Sequence, residues 1–262
     1  LYHSTYGFRP AKLFDGGTSA NIHLSIVITS SSTNEVYGLH HIKWNAEYRE
    51  NLFSTLPIYT ENMRSVVAQY DKISRSKSDV GKAILNKIYC KKTIENHFGV
   101  TENKVYYRTT GGLHYRAFTM FPTYSRKEAA LSFRSKDYAK VTFTLLASNL
   151  WNMFYYAYAN CLDVSKFEVT KFPIDIDSID ANIKTKLCKL ADSLNKDIEN
   201  NSEVIIRHYR NVGDIECYQI NMRSSKPIID EIDKVLASHY KFTEEELDFI
   251  INYDIKYRMG DE

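Results

Sequence analysis

The sequence has 262 residues, of which 44% are hydrophobic and 25% are charged, with only five Pro and ten Gly. This composition supports a folded core and excludes a largely disordered or low-complexity chain. The length suits one large domain or two small ones.

The net charge of +2 conceals an asymmetry along the chain. Residues 70–140 hold 15 Lys and Arg against 6 Asp and Glu, whereas residues 175–262 hold 12 against 19. A basic segment concentrates polyanions such as nucleic acid near its surface. The alternative is that the acidic C-terminal segment folds back on the basic segment and neutralises it.

The cysteine spacing and the apolar runs favour a cytoplasmic protein. No signal peptide is visible, and the most apolar run, residues 141–159, is interrupted by Thr, Ser and Asn, so it predicts a buried helix and not a membrane span. The chain opens on Leu1 in mid-pattern, which suggests a fragment of a longer protein. No C-x-x-C pair occurs, which favours reduced thiols at all four cysteines: Cys90, Cys161, Cys188 and Cys217.

Two strands and a helix are predicted in the first hundred residues. The apolar run at residues 22–28 predicts a strand, and residues 36–44 predict a second strand that returns beside it. Because two strands alone are marginally stable in water, we expect the pair to belong to a larger sheet. A helical spacing of apolar residues opens at Asp79 and continues to about Gly99.

A Gly-Gly hairpin is predicted in the basic segment. Residues 104–121 read K-V-Y-Y-R-T-T-G-G-L-H-Y-R-A-F-T-M-F, in which two runs rich in β-branched and aromatic residues flank Gly111-Gly112. Both positions of such a turn accept a positive φ. Cations beside flat rings at a bare turn suit contact with phosphates and bases. The alternative is an ordinary hairpin whose aromatic side chains pack and whose arginines are solvated.

The remaining elements follow from periodicity and capping. Residues 123–135 read as a polar, basic connection, residues 140–160 as an aromatic helix, and residues 166–172 as a strand. Five further elements are predicted beyond Pro173 from helical spacing, a turn, a proline and a capping box: a helix over 179–198, strands at 203–209 and 215–220 around Val212-Gly213-Asp214, a helix beginning at Pro227, and a last helix over 247–253 opened by Thr243 and Glu246.

No catalytic or metal site is predicted. The sequence lacks G-x-G-x-x-G and G-x-S-x-G, and the adjacent His40 and His41 point to opposite sides of a strand. The acidic clusters at residues 175–180 and 244–246 lie at predicted helix starts, where carboxylates favour the helix dipole. Two acid–lysine sets were weighed as a nuclease centre and lack its pattern: Asp163, Glu168 and Lys171, and Asp254 with Lys256.

Both ends of the chain resemble one enzyme family. Residues 6–16 (Y-G-F-R-P-A-K-L-F-D-G) and 36–53 (V-Y-G-L-H-H-I-K-W-N-A-E-Y-R-E-N-L-F) resemble a segment of the large bacterial N6-adenine DNA methyltransferases of type IIG restriction–modification and phage-defence systems. Residues 228–260 resemble the C-terminal signature of that family. In the middle, T-T-G-G-L-H-Y-R-A-F and L-L-A-S-N-L-W-N-M-F-Y-Y are similar to the TaqI-like specificity domain, the target recognition module.

The chain departs from the family where the chemistry is performed. The family binds S-adenosylmethionine through a Gly-rich loop and holds the flipped adenine with Asn/Asp-Pro-Pro-Tyr/Phe. Neither motif is present. The sequence has no such Gly-rich loop, and no two of its five prolines are adjacent. The resemblance therefore implies that both motifs lie upstream, that S-adenosylmethionine belongs to the full-length parent, and that this fragment alone has no cofactor, no catalytic residue and no methyl transfer.

The resemblance implies a mixed α/β fold in three parts. Residues 1–69 would be the incomplete C-terminal end of the methyltransferase domain and its sheet. Residues 70–175 would be a mixed α/β target recognition domain, and residues 176–262 a mostly helical C-terminal region. The implied partners are double-stranded DNA and the upstream methyltransferase domain of the same chain, with no membrane contact.

The expected role is to select the DNA site while the parent enzyme rotates its target adenine out of the duplex. Two alternatives are a protein-interaction module, whose acidic tail docks on another subunit and whose amphipathic helices present a groove, and a nuclease half of a fused restriction enzyme. Candidate contacts divide into base edges and phosphates: Arg108, Thr110, Gly111, Gly112, His114, Tyr115 and Arg116 for bases, and Lys104, Arg126, Lys127, Arg134 and Lys136 for phosphates.

Overall fold

The chain is a mixed α/β protein, as the sequence predicts. Its contacts group into two compact units, one of residues 1–86 and 156–162 and one of residues 87–155 and 163–262. The three-part division at residues 69 and 175 stays a prediction. The computed structural model describes the following residues: 2–6, 24–29, 31, 37, 38, 47, 50, 51, 54, 61, 62, 74–76, 78–110, 116–159 and 163–255.

The first unit contains a four-stranded sheet in the order β2-β1-β3-β4. Its central strand β1 pairs antiparallel with β2 and parallel with β3. The larger sheet is thus confirmed, but the predicted pairing of β2 with β3 is wrong, because β1 lies between them. The sequence of β1, Y-H-S-T-Y, lacks the apolar alternation by which the other strands were recognised. The strands are β1 (Tyr2–Tyr6), β2 (Leu24–Ile28), β3 (Tyr37–Gly38) and β4 (Glu61–Asn62).

Helix α1 (Asp79–Ile88) begins where the sequence predicts and ends earlier. Its apolar face is buried at Ile84, Leu85 and Ile88. The predicted continuation to Gly99 is wrong, since a separate 3-10 turn forms over Ile94–His97. The Thr93 backbone N–H donates to the side-chain oxygen of Asn96 at 2.7 Å, so this turn carries its own cap.

The second unit contains an antiparallel sheet in the order β6-β5-β7, made of β5 (Lys104–Arg108), β6 (Phe118–Thr119) and β7 (Glu128–Ser132). The antiparallel pairing of the two hairpin strands is confirmed. Tyr107 lies opposite Phe118, whereas a two-residue Gly-Gly loop would place it opposite residue 116. Strand β7 also corrects the prediction of an irregular connection over residues 123–135.

The register differs because the chain leaves β6 after Arg108. The backbone N–H and the hydroxyl of Thr109 both donate to the Lys127 carbonyl, at 2.7 and 2.9 Å. The Thr109 carbonyl accepts from Val164 N–H at 2.8 Å, and Thr110 forms a bridge with Asp163. Through these bonds the end of β5 contacts residues that are distant in the sequence. The sequence of the hairpin alone therefore does not predict its register.

The core consists of two consecutive helices, α2 (Lys136–Ala147) and α3 (Asn149–Tyr158). Every residue from 141 to 155 is buried, which confirms a buried helical segment here. The single helix predicted over 140–160 is broken at Ser148, whose backbone is extended. The Ser148 hydroxyl donates to the Leu145 carbonyl at 2.6 Å and accepts from Trp151 N–H at 3.1 Å, so one side chain ends α2 and opens α3.

The strand predicted at residues 166–172 is wrong, because the chain forms the short helix α4 (Lys166–Thr170). Three consecutive residues of α4, Glu168 to Thr170, are buried, which is incompatible with the alternation of a half-buried strand. The indole N–H of Trp151 donates to the Glu168 carbonyl at 3.1 Å. Packing on the core therefore decides the conformation of this segment.

The C-terminal elements follow the sequence closely. Gly213 has a φ of +84° directly after the turn between the last two strands. Thr243 and Glu246 form the predicted capping box. The predicted amphipathic face of α5 is buried at Leu187, Leu194 and Ile198. The elements are α5 (Ala181–Asn200), β8 (Glu203–Tyr209), β9 (Gly213–Gln219), α6 (Lys226–Tyr240) and α7 (Glu244–Ile251).

Two general features concern the described part of the chain. No helix there combines the length and apolar character that crossing a membrane requires. Cys90, Cys188 and Cys217 are free thiols, and Cys161 lies outside the described residues, as do His40 and His41.

A buried carboxylate joins the C-terminal helices to the core. Asp233 of α6 is 1% exposed. Its carboxylate accepts from Asn149 N–H at 3.1 Å, from the Asn149 side-chain amide at 2.6 Å, and from Leu150 N–H at 3.1 Å. Asp233 therefore caps the first turn of α3 from another helix.

Replacing Asp233 with Ala is expected to lower the free energy of unfolding by roughly 3 kcal/mol, since buried donors would lose a charged acceptor. Asp233→Asn, which retains an acceptor oxygen, should cost less. Chemical denaturation measures both. The control is Glu231→Ala on the same helix, which removes an exposed pair with Lys234 and should cost far less than Asp233→Ala. Equal losses for Asp233→Ala and Glu231→Ala would contradict the capping role.

Candidate nucleic-acid interface

The predicted contact residues separate into two groups at opposite ends of the β5–β7 pair. Because these strands are antiparallel, Lys104 lies opposite Ser132 and Arg108 lies opposite Glu128. The five-residue strands place the two ends about 13 Å apart. The Arg108 end comprises Arg108, Thr110, Arg126 and Lys127, and the Lys104 end comprises Lys104, Arg134 and Lys136.

The cations of the Lys104 end are largely paired with acidic or acceptor groups. Lys104 lies 3.2 Å from the carboxylate of Glu102. Arg134 lies 4.0 Å from the carboxylate of Asp177, donates to the Asn96 carbonyl at 3.3 Å, and covers the Tyr138 ring with its guanidinium carbon 4.9 Å from the centroid. Lys136 is exposed on the first turn of α2.

The Asp177 carboxylate contacts several charged and polar side chains at this end. It accepts from the Tyr138 hydroxyl and lies 3.2 Å from Lys92, which also lies 3.0 Å from Asp175. The Tyr138 hydroxyl and the Lys92 ammonium lower the pKa of Asp177 to about 2. The Asp175 and Asp177 carboxylates correspondingly raise the pKa of Lys92. The carboxylate therefore stays ionised at neutral pH and offsets the positive charge of this surface.

The acidic C-terminal segment neutralises part of the basic segment, as the alternative reading of the charge pattern predicted. Besides the Asp177 cluster, Lys87 lies 2.6 Å from Glu246 of α7. Lys140 of α2 lies 2.5 Å from Asp192 of α5. The net charge of a segment thus overstates the cationic surface that this protein presents.

The Arg108 end keeps its cations unpaired. Arg126 and Lys127 are exposed, and neither forms an ion pair within the described part of the chain. The guanidinium carbon of Arg126 lies 5.2 Å from the centroid of the Tyr209 ring, at the end of β8. The exposed Arg210 follows Tyr209 in the turn of the β8–β9 hairpin. Three cations and an aromatic ring therefore share one surface.

Sequence reasoning missed the contribution of the β8–β9 hairpin. The signal was present, because H-Y-R-N-V-G-D places a cation beside an aromatic ring at a glycine turn, as in the Gly111-Gly112 segment. The signal was overlooked because this hairpin lies in the acidic C-terminal segment, where a DNA contact was not expected. Only the tertiary structure brings Tyr209 to Arg126.

A pocket opens between the three-stranded sheet and the β8–β9 hairpin. Its lining includes Tyr106, Arg108, Thr123, Glu128 and Tyr218. Tyr218 N–H donates to the Thr123 carbonyl at 3.0 Å, which fixes the hairpin against the pocket wall. The Tyr107 side chain points to the buried face of β5, where burial raises its pKa and its ring stacks with Phe118 at 6.3 Å.

Arg108 carries a buried polar atom that lacks a partner in the described structure. Its Nε is buried and has no hydrogen-bond partner. A buried donor without a partner costs roughly 1–3 kcal/mol, which calls for a functional explanation. Glu128 lies opposite Arg108 across the strands, but the two side chains form no ion pair in the described structure.

Arg116, which the sequence predicts as a base contact, packs inside the protein. Its side chain is buried, with the residue 5% exposed. Its guanidinium donates to the Tyr155 hydroxyl at 2.9 Å and lies over the Tyr155 ring, while that hydroxyl donates to the Asp163 carbonyl at 2.9 Å. In this arrangement the guanidinium is not presented to a ligand. Gly111, Gly112, His114 and Tyr115 lie outside the described residues.

The acid–lysine sets weighed as nuclease centres do not converge on one point. The carboxylate of Glu168 accepts from the Ser165 hydroxyl, whereas Lys171 pairs with Glu95. Asp163 is exposed and Lys256 lies outside the described residues. Among the residues that the structure describes, no group of three or more His, Cys, Asp or Glu side chains is placed to hold a metal ion.

Comparisons of this chain with protein families, curated proteins and solved structures find no match.

A pH dependence of stability follows from His97, which lies beside the Asp177 cluster. Its ring is buried and contacts the Ile174 carbonyl at 3.1 Å, Ile176 N–H at 3.3 Å, and the Arg134 guanidinium at 3.1 Å. Burial lowers the pKa of His97 below its ordinary value of 6.5. The unfolded chain therefore binds a proton more readily, and stability falls as pH drops below about 6.5.

We expect the free energy of unfolding to fall as the pH drops below about 6.5, by at most about 1.4 kcal/mol per pH unit for each such proton. His97→Gln should reduce this slope, even if it lowers stability at every pH. Denaturant titrations at several pH values measure the slope. An unchanged slope in His97→Gln would refute the assignment.

Proposed function

We propose that this chain is a sequence-specific DNA recognition module and that it belongs to an N6-adenine DNA methyltransferase of a restriction–modification or phage-defence system. The observation that carries the DNA-binding part is the unpaired cationic surface at the Arg108 end. Arg126, Lys127 and Arg210 are exposed there beside the Tyr209 ring, while the Lys104 end is offset by Asp177.

The proposed binding mode assigns separate roles to the two parts of this surface. Arg126, Lys127 and Arg210 neutralise phosphates and set the register of the duplex, a role that carries no sequence information. Arg108 and Thr110 lie at the end of β5, from which the segment 111–115 continues. Base contacts from this region would select the site.

The methyltransferase assignment is supported by the sequence resemblances at residues 6–16, 36–53 and 228–260. Under this proposal the upstream part of the parent protein binds S-adenosylmethionine and transfers the methyl group. The target adenine leaves the duplex to reach that site. The chain itself supplies binding and orientation to a reaction whose catalytic motifs it lacks.

The second candidate function is a protein-interaction module. The observation that favours it is the exposed apolar side chains of the β8–β9 hairpin: Val204 is 60% exposed, Ile206 66% and Val212 55%. Val204→Lys with Ile206→Lys would abolish capture of a protein partner if this face binds one. The same variant should leave DNA affinity unchanged or higher, which separates the two functions.

The DNA-binding proposal predicts the effect of Arg126→Ala with Lys127→Ala. Each lost phosphate contact lowers the slope of log affinity against log salt concentration by about 0.9, so the double variant should lose about 1.8. Affinity at about 100 mM salt should fall by roughly tenfold. Fluorescence anisotropy of a labelled duplex, titrated at several salt concentrations, measures both quantities.

The matched control is Lys92→Ala with Lys140→Ala, which removes the same number of charges from ion-paired positions. This variant should nearly retain the parent slope. The proposal fails if the parent chain does not bind DNA at low salt, or if its affinity is independent of salt. Equal slopes in the two double variants would show that the Arg108 end is not the contact surface.

A further inference from the structure

We propose that the pocket between the three-stranded sheet and the β8–β9 hairpin binds a single cytosine base, with Arg108 donating to its O2 and N3 atoms and Glu128 accepting from its N4 amino group. The inference deepens the proposed DNA recognition and rests on it for the source of the base. The pocket chemistry itself stands on Arg108 and Glu128.

Arg108 supplies unused donors. Its side chain lines the pocket, and its guanidinium makes neither a hydrogen bond nor an ion pair with the described residues. Other arginines of the same unit are engaged: Arg116 donates to Tyr155 and Arg134 donates to the Asn96 carbonyl. Since the guanidinium donors, of which the Nε–H is buried, have no acceptor among the described residues, a ligand that presents one or two acceptors would complete this site.

Glu128 supplies an acceptor that is already oriented. One carboxylate oxygen accepts from Thr123 N–H at 2.7 Å and from the Thr123 hydroxyl. The other oxygen has no partner among the described residues. Thr123 thereby holds the carboxylate in the pocket wall, with one oxygen free to accept an N–H group.

The pairing of the two groups excludes a simple anion. A phosphate or carboxylate would gain from Arg108 but would be repelled by Glu128, the neighbour of Arg108 across the strands. A neutral ligand with acceptors beside a donor satisfies both side chains. Aromatic rings of Tyr106 and Tyr218 in the same lining favour a flat ligand, because bases stack on such rings.

Cytosine matches this arrangement along one edge. O2 and N3 offer two adjacent acceptors to the guanidinium fork, and the N4 amino group offers one donor to the free oxygen of Glu128. Uracil and thymine place an acceptor, O4, against the carboxylate. Guanine presents one acceptor and two donors on this edge, and adenine presents a single ring acceptor beside its amino group. The recessed position of the pocket suits a base outside the stack and not the edge of a paired base.

The test compares cytosine with uracil, which differ at position 4 and at N3, where uracil carries a hydrogen and cytosine an acceptor lone pair. Ligand-observed NMR measures binding of deoxycytidine and deoxyuridine to the full chain. In a second arm, anisotropy measures binding of an oligothymidine strand with one central dC or one central dU. We expect roughly tenfold tighter binding of the cytosine ligand, the discrimination typical of a paired donor–acceptor readout.

The decisive variant is Glu128→Gln, whose side-chain amide can donate to O4. It should remove the preference for cytosine while the binding of uracil is retained or strengthened, a result that a misfolded variant cannot show. The control is Glu102→Gln, an exposed glutamate at the other end of the sheet, which should keep the preference for cytosine. Arg108→Met should weaken binding of both ligands.

Discrimination in the oligonucleotide arm identifies the ligand as a base of a DNA strand, and discrimination with nucleosides alone identifies a free nucleoside; either result supports the pocket. Equal binding of the cytosine and uracil ligands in both arms overturns it, as does an unchanged preference for cytosine in Glu128→Gln. Nucleoside discrimination without any binding of duplex or single-stranded DNA would refute the proposed function and leave the pocket standing.

Discussion

The buried carboxylate of Asp233 is the interaction on which the second unit depends. It binds backbone and side-chain donors at the start of α3, so α6 is fixed to the core helices. With α6 anchored, α5 and the β8–β9 hairpin are held in the same compact unit as the three-stranded sheet. The acidic C-terminal segment therefore lies in one unit with residues 87–140 of the basic segment, where its carboxylates pair with Lys87, Lys92 and Lys140.

This anchoring distributes charge unevenly between the two ends of the β5–β7 pair. At the Lys104 end, Asp177 offsets Lys92 and Arg134 and is held ionised by the Tyr138 hydroxyl. At the Arg108 end, the hairpin contributes Tyr209 and Arg210 beside Arg126 and Lys127, and these cations form no ion pair with the described carboxylates. A segment that is uniformly basic in sequence thus has one neutralised end and one cationic end. An approaching polyanion would be attracted to the cationic end.

In the same unit, Arg108 and Glu128 line one pocket but form no ion pair with each other. Thr123 binds the carboxylate on one side, and the antiparallel register places the two side chains on neighbouring strands. An arginine and a glutamate that face each other without pairing resemble a binding site more than a stabilising contact, because each keeps hydrogen-bonding capacity for a ligand. The rings of Tyr106 and Tyr218 in the pocket lining favour a flat ligand.

Local chemistry alone determined the start of α1, the whole of β8, the stripe of α5, Pro227 in the first turn of α6 and the capping box of α7, because each depends on spacing or on a neighbour within four residues. It also identified cations beside aromatic rings. Tertiary packing decided the break at Ser148, the helix at residues 166–170, the register beyond Arg108 and the burial of Arg116. It also decided which cations stay unpaired, since their carboxylate partners are distant in sequence, as Lys87 and Glu246 are.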